Sequence, residues 1–165
     1  MSARFPASSA AARMDADFRA RWADRDAISP AARATLREIL GRFEADGGPI
    51  TVASLRDPVP VAELDARDLV HALDGRIVLA YPWSATPTAF VTVLSGSRER
   101  WACCAIDALG VAPMLGEAVT VRSRCHHCAA PFELSVAPDG PLIDDGLMAW
   151  VGERADLRGK ACTAL

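Results

Sequence analysis

The sequence predicts an α+β fold: a winged-helix-like module of three helices and a β-hairpin, followed by a small mixed α/β core. Three observations carry this. Apolar residues recur at helical spacing behind Ser29-Pro30. Two β-like runs, Arg76–Tyr81 and Ala89–Leu94, follow the helices. Beyond a Ser95-Gly96-Ser97 seam, a second pair of strand-like runs flanks a cysteine-rich turn.

The first helix starts at Ser29-Pro30, since serine caps a helix N-terminus and proline suits its first position. Leu36, Ile39, Leu40 and Phe43 then form its apolar face, and Asp46-Gly47-Gly48-Pro49 ends it. Thr51 is placed to cap a short second helix through Leu55, which stops before Asp57-Pro58. A third helix is expected from about Ala62 to Leu73, with Leu69, Val70 and Leu73 on one face, closed by Asp74-Gly75. The runs 76–81 and 89–94 are expected to pair as a hairpin across the Pro-, Ser- and Thr-rich segment 82–88. In the second half, Trp101–Leu109 reads as a short buried helix carrying Cys103, Cys104 and Asp107. Ala118–Arg124 and Phe132–Val136 read as strands joined by the turn Cys125–Pro131. Pro138-Asp139-Gly140 turns the chain again, and Met148–Val151 is a further strand candidate. The expected organisation is an amphipathic or flexible arm over 1–27, the winged-helix-like module over 28–98 and the second core over 99–165.

Bulk properties narrow the function. The 165 residues are 51% hydrophobic and 24% charged, an ordinary globular composition. With 21 acidic against 18 basic residues the net charge is −3, which offers no global field for a phosphate backbone. The third helix, which would read DNA in a working winged helix, carries Glu63, Asp65 and Asp68 against Arg67 alone. The module is therefore expected to be scaffold, or a wall of a substrate pocket, with no nucleic-acid partner. No apolar run reaches the roughly 18–20 residues of a membrane span. The Ala- and Arg-rich start lacks the apolar stretch of a secretory signal, so a cytoplasmic protein with no membrane partner is expected. Five cysteines, two of them adjacent, suit reduced thiols for chemistry or metals better than a disulfide framework.

Cys104 and Asp107 are the first candidates. Three residues apart, they share a face if the segment is helical. A thiolate is a soft nucleophile that prefers soft metals, and a neighbouring carboxyl group can accept the thiol proton and deliver it elsewhere. A cysteine on an apolar helix is also an ordinary core residue. The wider pattern decides between these. Trp101-Ala102-Cys103-Cys104-Ala105-Ile106-Asp107-Ala108-Leu109 is followed by Pro113-Met114-Leu115-Gly116. A strand ending Ser123-Arg124-Cys125 comes next, then Ala130-Pro131-Phe132-Glu133-Leu134-Ser135-Val136. This ordered series resembles the alkylmercury (organomercurial) lyase family, whose core motif is Cys-Ala-hydrophobic-Asp and whose members carry a winged-helix-like module before it.

The resemblance implies cleavage of a carbon–mercury bond by protonolysis, giving a hydrocarbon and Hg2+. It implies Cys104 as the attacking thiol, Asp107 as acid and base, and Cys162 as the second cysteine, all three around the mercury. It implies an organomercurial substrate and no resident cofactor, Hg2+ being the bound product. Free cellular thiols or a mercuric reductase would then take up the ion. Family members continue beyond the second cysteine, whereas Cys162 here is followed by three residues. The position before the attacking cysteine is commonly not a thiol, so Cys103 is expected to pack into the core.

Cys125-His126-His127-Cys128 is a further cluster. In the family a cysteine at the Cys125 position is regarded as structural, which leaves Cys128 as an addition. Two readings stand: a buried Cys125 with solvated histidines, or a weaker second site for Zn2+ or Hg2+ using Cys125 and Cys128. His71, on the expected third helix, reads as a partly exposed histidine, and Trp83, Trp101 and Trp150 as core. Two alternatives to the enzyme are a soft-metal (Hg2+, Zn2+ or Cu+) binding protein and a metal-responsive winged-helix regulator. Asp107 discriminates the enzyme from the metal binder, because binding needs only thiols while protonolysis needs a proton donor, and the acidic third helix argues against the regulator.

Overall fold

The computed structural model describes residues 26–142 together with Ala23. The N-terminal arm, the strand expected at Met148–Val151, Trp150 and Cys162 lie outside the described residues.

Helix α1 (Pro30–Asp46) forms as its sequence dictates. The Ser29 hydroxyl accepts the Ala32 N–H, Pro30 fills the first turn, and Ala32, Thr35, Ile39 and Phe43 are buried on one face. Gly47 ends the helix at φ 75°, with its N–H bonded to the Phe43 carbonyl. Strand β1 (Ile50–Thr51) follows. The expected second helix is one 3-10 turn, Val52–Ser54, in which the Thr51 side chain makes no cap hydrogen bond.

The third expected helix is cut short. Helix α2 spans Val61–Ala66, and residues 70–73 form strand β2 (Val70–Leu73) instead. Asp68 adopts the left-handed conformation, φ 55°, and turns the chain out of the helix. The Asp65 carboxylate then accepts the Ala72 N–H at 2.9 Å, tying the new strand to the helix it replaced. Leu69, Val70 and Leu73 fit either period, and pairing across the Asp74-Gly75 turn with β3 (Arg76–Ala80) decides for the strand.

The expected hairpin between 76–81 and 89–94 also changes partners. Strand β4 (Trp83–Ser84) pairs with β3. Strand β6 (Glu99–Ala102) inserts between β4 and β5 (Phe90–Val93), so β3 and β5 are not neighbours. Ser95–Ser97, the expected seam, is the 3-10 turn between β5 and β6. The sheet continues through β7 (Val119–Arg124), β8 (Pro131–Ala137) and β9 (Gly140–Pro141), antiparallel at every pairing. Its path is β1-β3-β4-β6-β5-β7-β8-β9, with β2 on β3.

Helix α3 (Ala105–Leu115) starts four residues later than expected, because Trp101 and Ala102 belong to β6. Ala108, Val111 and Ala112 form its buried stripe, and Gly116 caps it in the left-handed conformation with its N–H on the Ala112 carbonyl. Apolar residues from both sequence halves make one core, which includes Phe43, Leu64, Ile77, Trp83, Val111 and Val136. Trp83 is fully buried as expected, while Trp101 is 38% exposed, because its strand partners leave it on the solvent face. Among the described residues no helix is long and apolar enough to cross a membrane.

Candidate active site

Cys104 sits where β6 gives way to α3. Its backbone is extended, φ −150° and ψ −178°, and its side chain is the N-cap of the helix. The Asp107 N–H points at the sulfur, 3.4 Å away, in the manner of a serine cap. Asp107, at the third helical position, reaches back so that its Oδ2 accepts the thiol at 3.0 Å. The sulfur thus caps the helix as a serine hydroxyl would, while the Asp107 carboxylate returns to the capping side chain itself. The expected helix-face pairing of Cys104 with Asp107 is therefore replaced by a cap, which brings the two groups closer and orients them.

Two effects oppose each other at the thiol. The N–H groups of Asp107 and Ile106 favour the thiolate, as a helix N-terminus does. Burial and the Asp107 carboxylate disfavour it and win, pushing the Cys104 thiol up to about 11, with burial the larger cause. At neutral pH the pair is a thiol donating to a carboxylate. The arrangement can hand the thiol proton to Asp107 when a soft electrophile binds sulfur. The helix N–H groups then face the sulfur that has lost it.

Cys103 is held differently. Its N–H bonds to the Pro82 carbonyl at 3.0 Å, and its thiol donates to the Trp83 carbonyl at 3.3 Å. It is half-buried rather than packed in the core, because β6 ends there and its side chain turns toward β4. A cavity of about 270 Å3 lies beside it, lined by His71, Val78, Leu79, Ser84, Thr86, Thr88 and Cys103. His71 reaches this cavity from β2, not from a helix. Ser84 and Thr86 are hydrogen-bonded to each other, and Thr88 Oγ1 donates to the Ala102 carbonyl at 2.6 Å, which fixes the end of β6 next to the cysteines. The sequence showed Ser84, Thr86 and Thr88 only as turn-forming residues. Their role in anchoring the cysteine segment had no local signal.

Cys125 and Cys128 lie on the turn between β7 and β8. The Cys125 N–H bonds to the Ala130 carbonyl and the Ala129 N–H to the Cys125 carbonyl, both at 2.8 Å. Ala129 takes φ 58° to close it. The N–H groups of Cys128 and His127 and the Cys128 thiol face the Cys125 sulfur and hold its thiol below the ordinary range, against a smaller effect of burial. His126, His127 and Cys128 are exposed. Among the described residues no group of three or more His, Cys, Asp or Glu is arranged to hold a metal ion.

Comparison with known proteins agrees with this geometry. The model of the alkylmercury lyase family matches residues 83–161, a segment that contains β4 to β9, α3, Cys104 and Asp107. Among solved structures, the mercury-bound form of MerB2 superposes with a TM-score of 0.59 at 26% sequence identity, covering 73% of this chain and 63% of that one. No curated protein sequence matches significantly. The Cys104–Asp107 pair thus lies inside a segment similar to the alkylmercury lyase family, on a fold shared with the mercury-bound form of MerB2.

Proposed function

We propose that this chain is an organomercurial lyase that cleaves the carbon–mercury bond by protonolysis. The observation that carries the proposal is the 3.0 Å contact between Cys104 Sγ and Asp107 Oδ2. The substrate R–Hg–X meets the thiol, a sulfur–mercury bond forms, X leaves, and the thiol proton passes to the Asp107 carboxylate. Cys162, outside the described residues, is the proposed second thiol. Its thiol gives its proton to the released X−, and the thiolate adds to mercury, raises the electron density there and weakens the Hg–C bond. Asp107 returns its proton to the departing carbon as R–H forms, and Hg2+ remains bound to two sulfurs. Free thiols exchange onto the ion and carry it to a mercuric reductase in the cytoplasm. In this reading residues 28–98 are a winged-helix-like scaffold without a nucleic-acid role. The order helix, strand, turn, helix, hairpin supports it, with Asp74-Gly75 at the hairpin tip.

The test is hydrocarbon release from methylmercury or phenylmercury by purified protein in excess thiol. Methane or benzene formed in proportion to mercury bound is the expected result. Tight Hg2+ binding without hydrocarbon release would overturn the lyase reading and leave a soft-metal carrier on the same fold.

A further inference from the structure

The Cys125–Cys128 turn is not used by the proposed reaction. It presents two thiols from one tight turn, closed by two backbone hydrogen bonds of 2.8 Å. The Cys128 thiol and the N–H groups of His127 and Cys128 converge on the Cys125 sulfur. The guanidinium of Arg124 donates to the Ala129 carbonyl at 3.2 Å and braces the same loop. An alanine in the left-handed conformation costs about 1–2 kcal/mol, and Ala129 stands there directly after the second cysteine. The backbone is thus bent in a way that gathers both sulfurs at the tip. Cys128 is exposed and Cys125 half-exposed, so the pair is open to an incoming ion.

Ligand number sets the ion class. A closed zinc site needs four ligands, and the described residues offer no third. A soft cation that is content with two sulfurs does not need one. We propose that Cys125 and Cys128 form a second mercury site, a dithiol that takes Hg2+ with two sulfur ligands and uses neither Cys104 nor Asp107. The naming of Hg2+ rests on the lyase reading; the two-sulfur stoichiometry rests on the turn alone. Loading is a ligand exchange without oxidation or reduction. The ion arrives as a bis-thiolate complex, two new S–Hg bonds form, two old ones break, and the two protein protons leave on the two released monothiols. The turn holds both sulfurs together, so a dithiol outcompetes separate monothiols for the same ion.

The experiment uses the full reduced chain with Cys104→Ser and Cys162→Ser, loaded with Hg2+ and desalted in excess monothiol. The expected result is one equivalent of mercury by mass spectrometry, with sulfur-to-mercury absorption in the near ultraviolet. Adding Cys128→Ser should remove both signals while the circular dichroism stays unchanged. No retained mercury in the folded double variant would overturn the proposal, as would retention that survives Cys128→Ser. Stoichiometric Zn2+ retained instead, and lost with Cys128→Ser, would also overturn it in favour of a structural zinc turn. None of these outcomes depends on hydrocarbon release by the wild type, so failure here and failure of the lyase reading are distinguishable.

Discussion

Arg100 Nε lies 2.9 Å from the carbonyl oxygens of both Phe43 and Glu44, and the same guanidinium also bonds the Ala45 carbonyl. One side chain of β6 thus bonds the last carbonyls of α1, sharing that of Phe43 with the Gly47 N–H, where a cation is also favoured by the helix dipole. The contact ties the first helix to the strand that ends at the cysteines. Arg100→Ala should lower stability by about 1.5–3 kcal/mol, the range for hydrogen bonds to a charged group. Urea unfolding checks this, and a midpoint equal to wild type would show that the contact is idle.

Two glycines should respond in opposite directions. A Cβ at Gly48 would stand 2.7 Å from the Ala85 Cβ and against the Phe43 ring, so Gly48→Ala should cost about 1–3 kcal/mol through overpacking. Gly41, on the exposed side of α1, has nothing within 4 Å of such a Cβ. Gly41→Ala should stabilise by about 0.5–1 kcal/mol through helix propensity. Thermal melts of the pair read both signs.

The Cys104 thiol should react late on a pH scale. In a Cys103→Ser background, alkylation at Cys104 is expected to rise toward a midpoint near pH 11, well above the ordinary thiol value of 9.0. Asp107→Asn should bring the midpoint down, since the carboxylate raises it through both its hydrogen bond and its charge. It should stay above 9.0, because burial is the larger cause. A midpoint that Asp107→Asn leaves in place would mean that the carboxylate and thiol are uncoupled.

Asp107→Asn also separates cleavage from binding. The amide is nearly isosteric, and the backbone N–H that meets the Cys104 sulfur remains. Mercury retention should therefore persist, while hydrocarbon release per bound mercury falls by about 10²–10⁴-fold, the usual contribution of a general acid. Cys104→Ser is the matching variant at sulfur. Serine is a preferred N-cap, so α3 should persist, and release should vanish because a hydroxyl is too hard to hold mercury. Equal release by wild type and Asp107→Asn would make the carboxylate only a capping group.

Glu63 links acid stability to the start of α1. It accepts the Ser29 N–H at 2.9 Å and the Ser29 hydroxyl at 2.7 Å. The Ser29 N–H bond, then the hydroxyl bond, and last Arg67 hold its carboxyl below the ordinary value of 4.5, against a smaller effect of desolvation. A folded-state value below the unfolded one means that the stabilisation is present above the ordinary glutamate range. It is lost as pH falls through the depressed value. Tm against pH should show wild type above Glu63→Gln at neutral pH, with the gap closing in acid. A gap independent of pH would locate the effect in packing.

Local signals in the sequence determined several elements. Ser29-Pro30 and the spacing of Ile39 and Phe43 specify α1, because caps and periodicity act within a few residues. The alternation in 119–124 and 131–137 specifies the β7–β8 pair, and the cysteine-rich turn between them follows. The nearness of Cys104 and Asp107 was legible from their spacing, which suits a cap as well as a helical turn. Tertiary structure alone decided the rest. Residues 70–73 are compatible with helix or strand, and the free edge of β3 settled the choice. The insertion of β6 between β4 and β5 displaced the expected hairpin, since strand partners compete across the whole chain and only the global sheet ranks them. That same insertion ended β6 at Ala102, made Cys104 a helix cap and turned Cys103 toward Trp83. No local pattern encodes such a choice, because it depends on which long-range pairing buries the most apolar surface with its backbone groups satisfied.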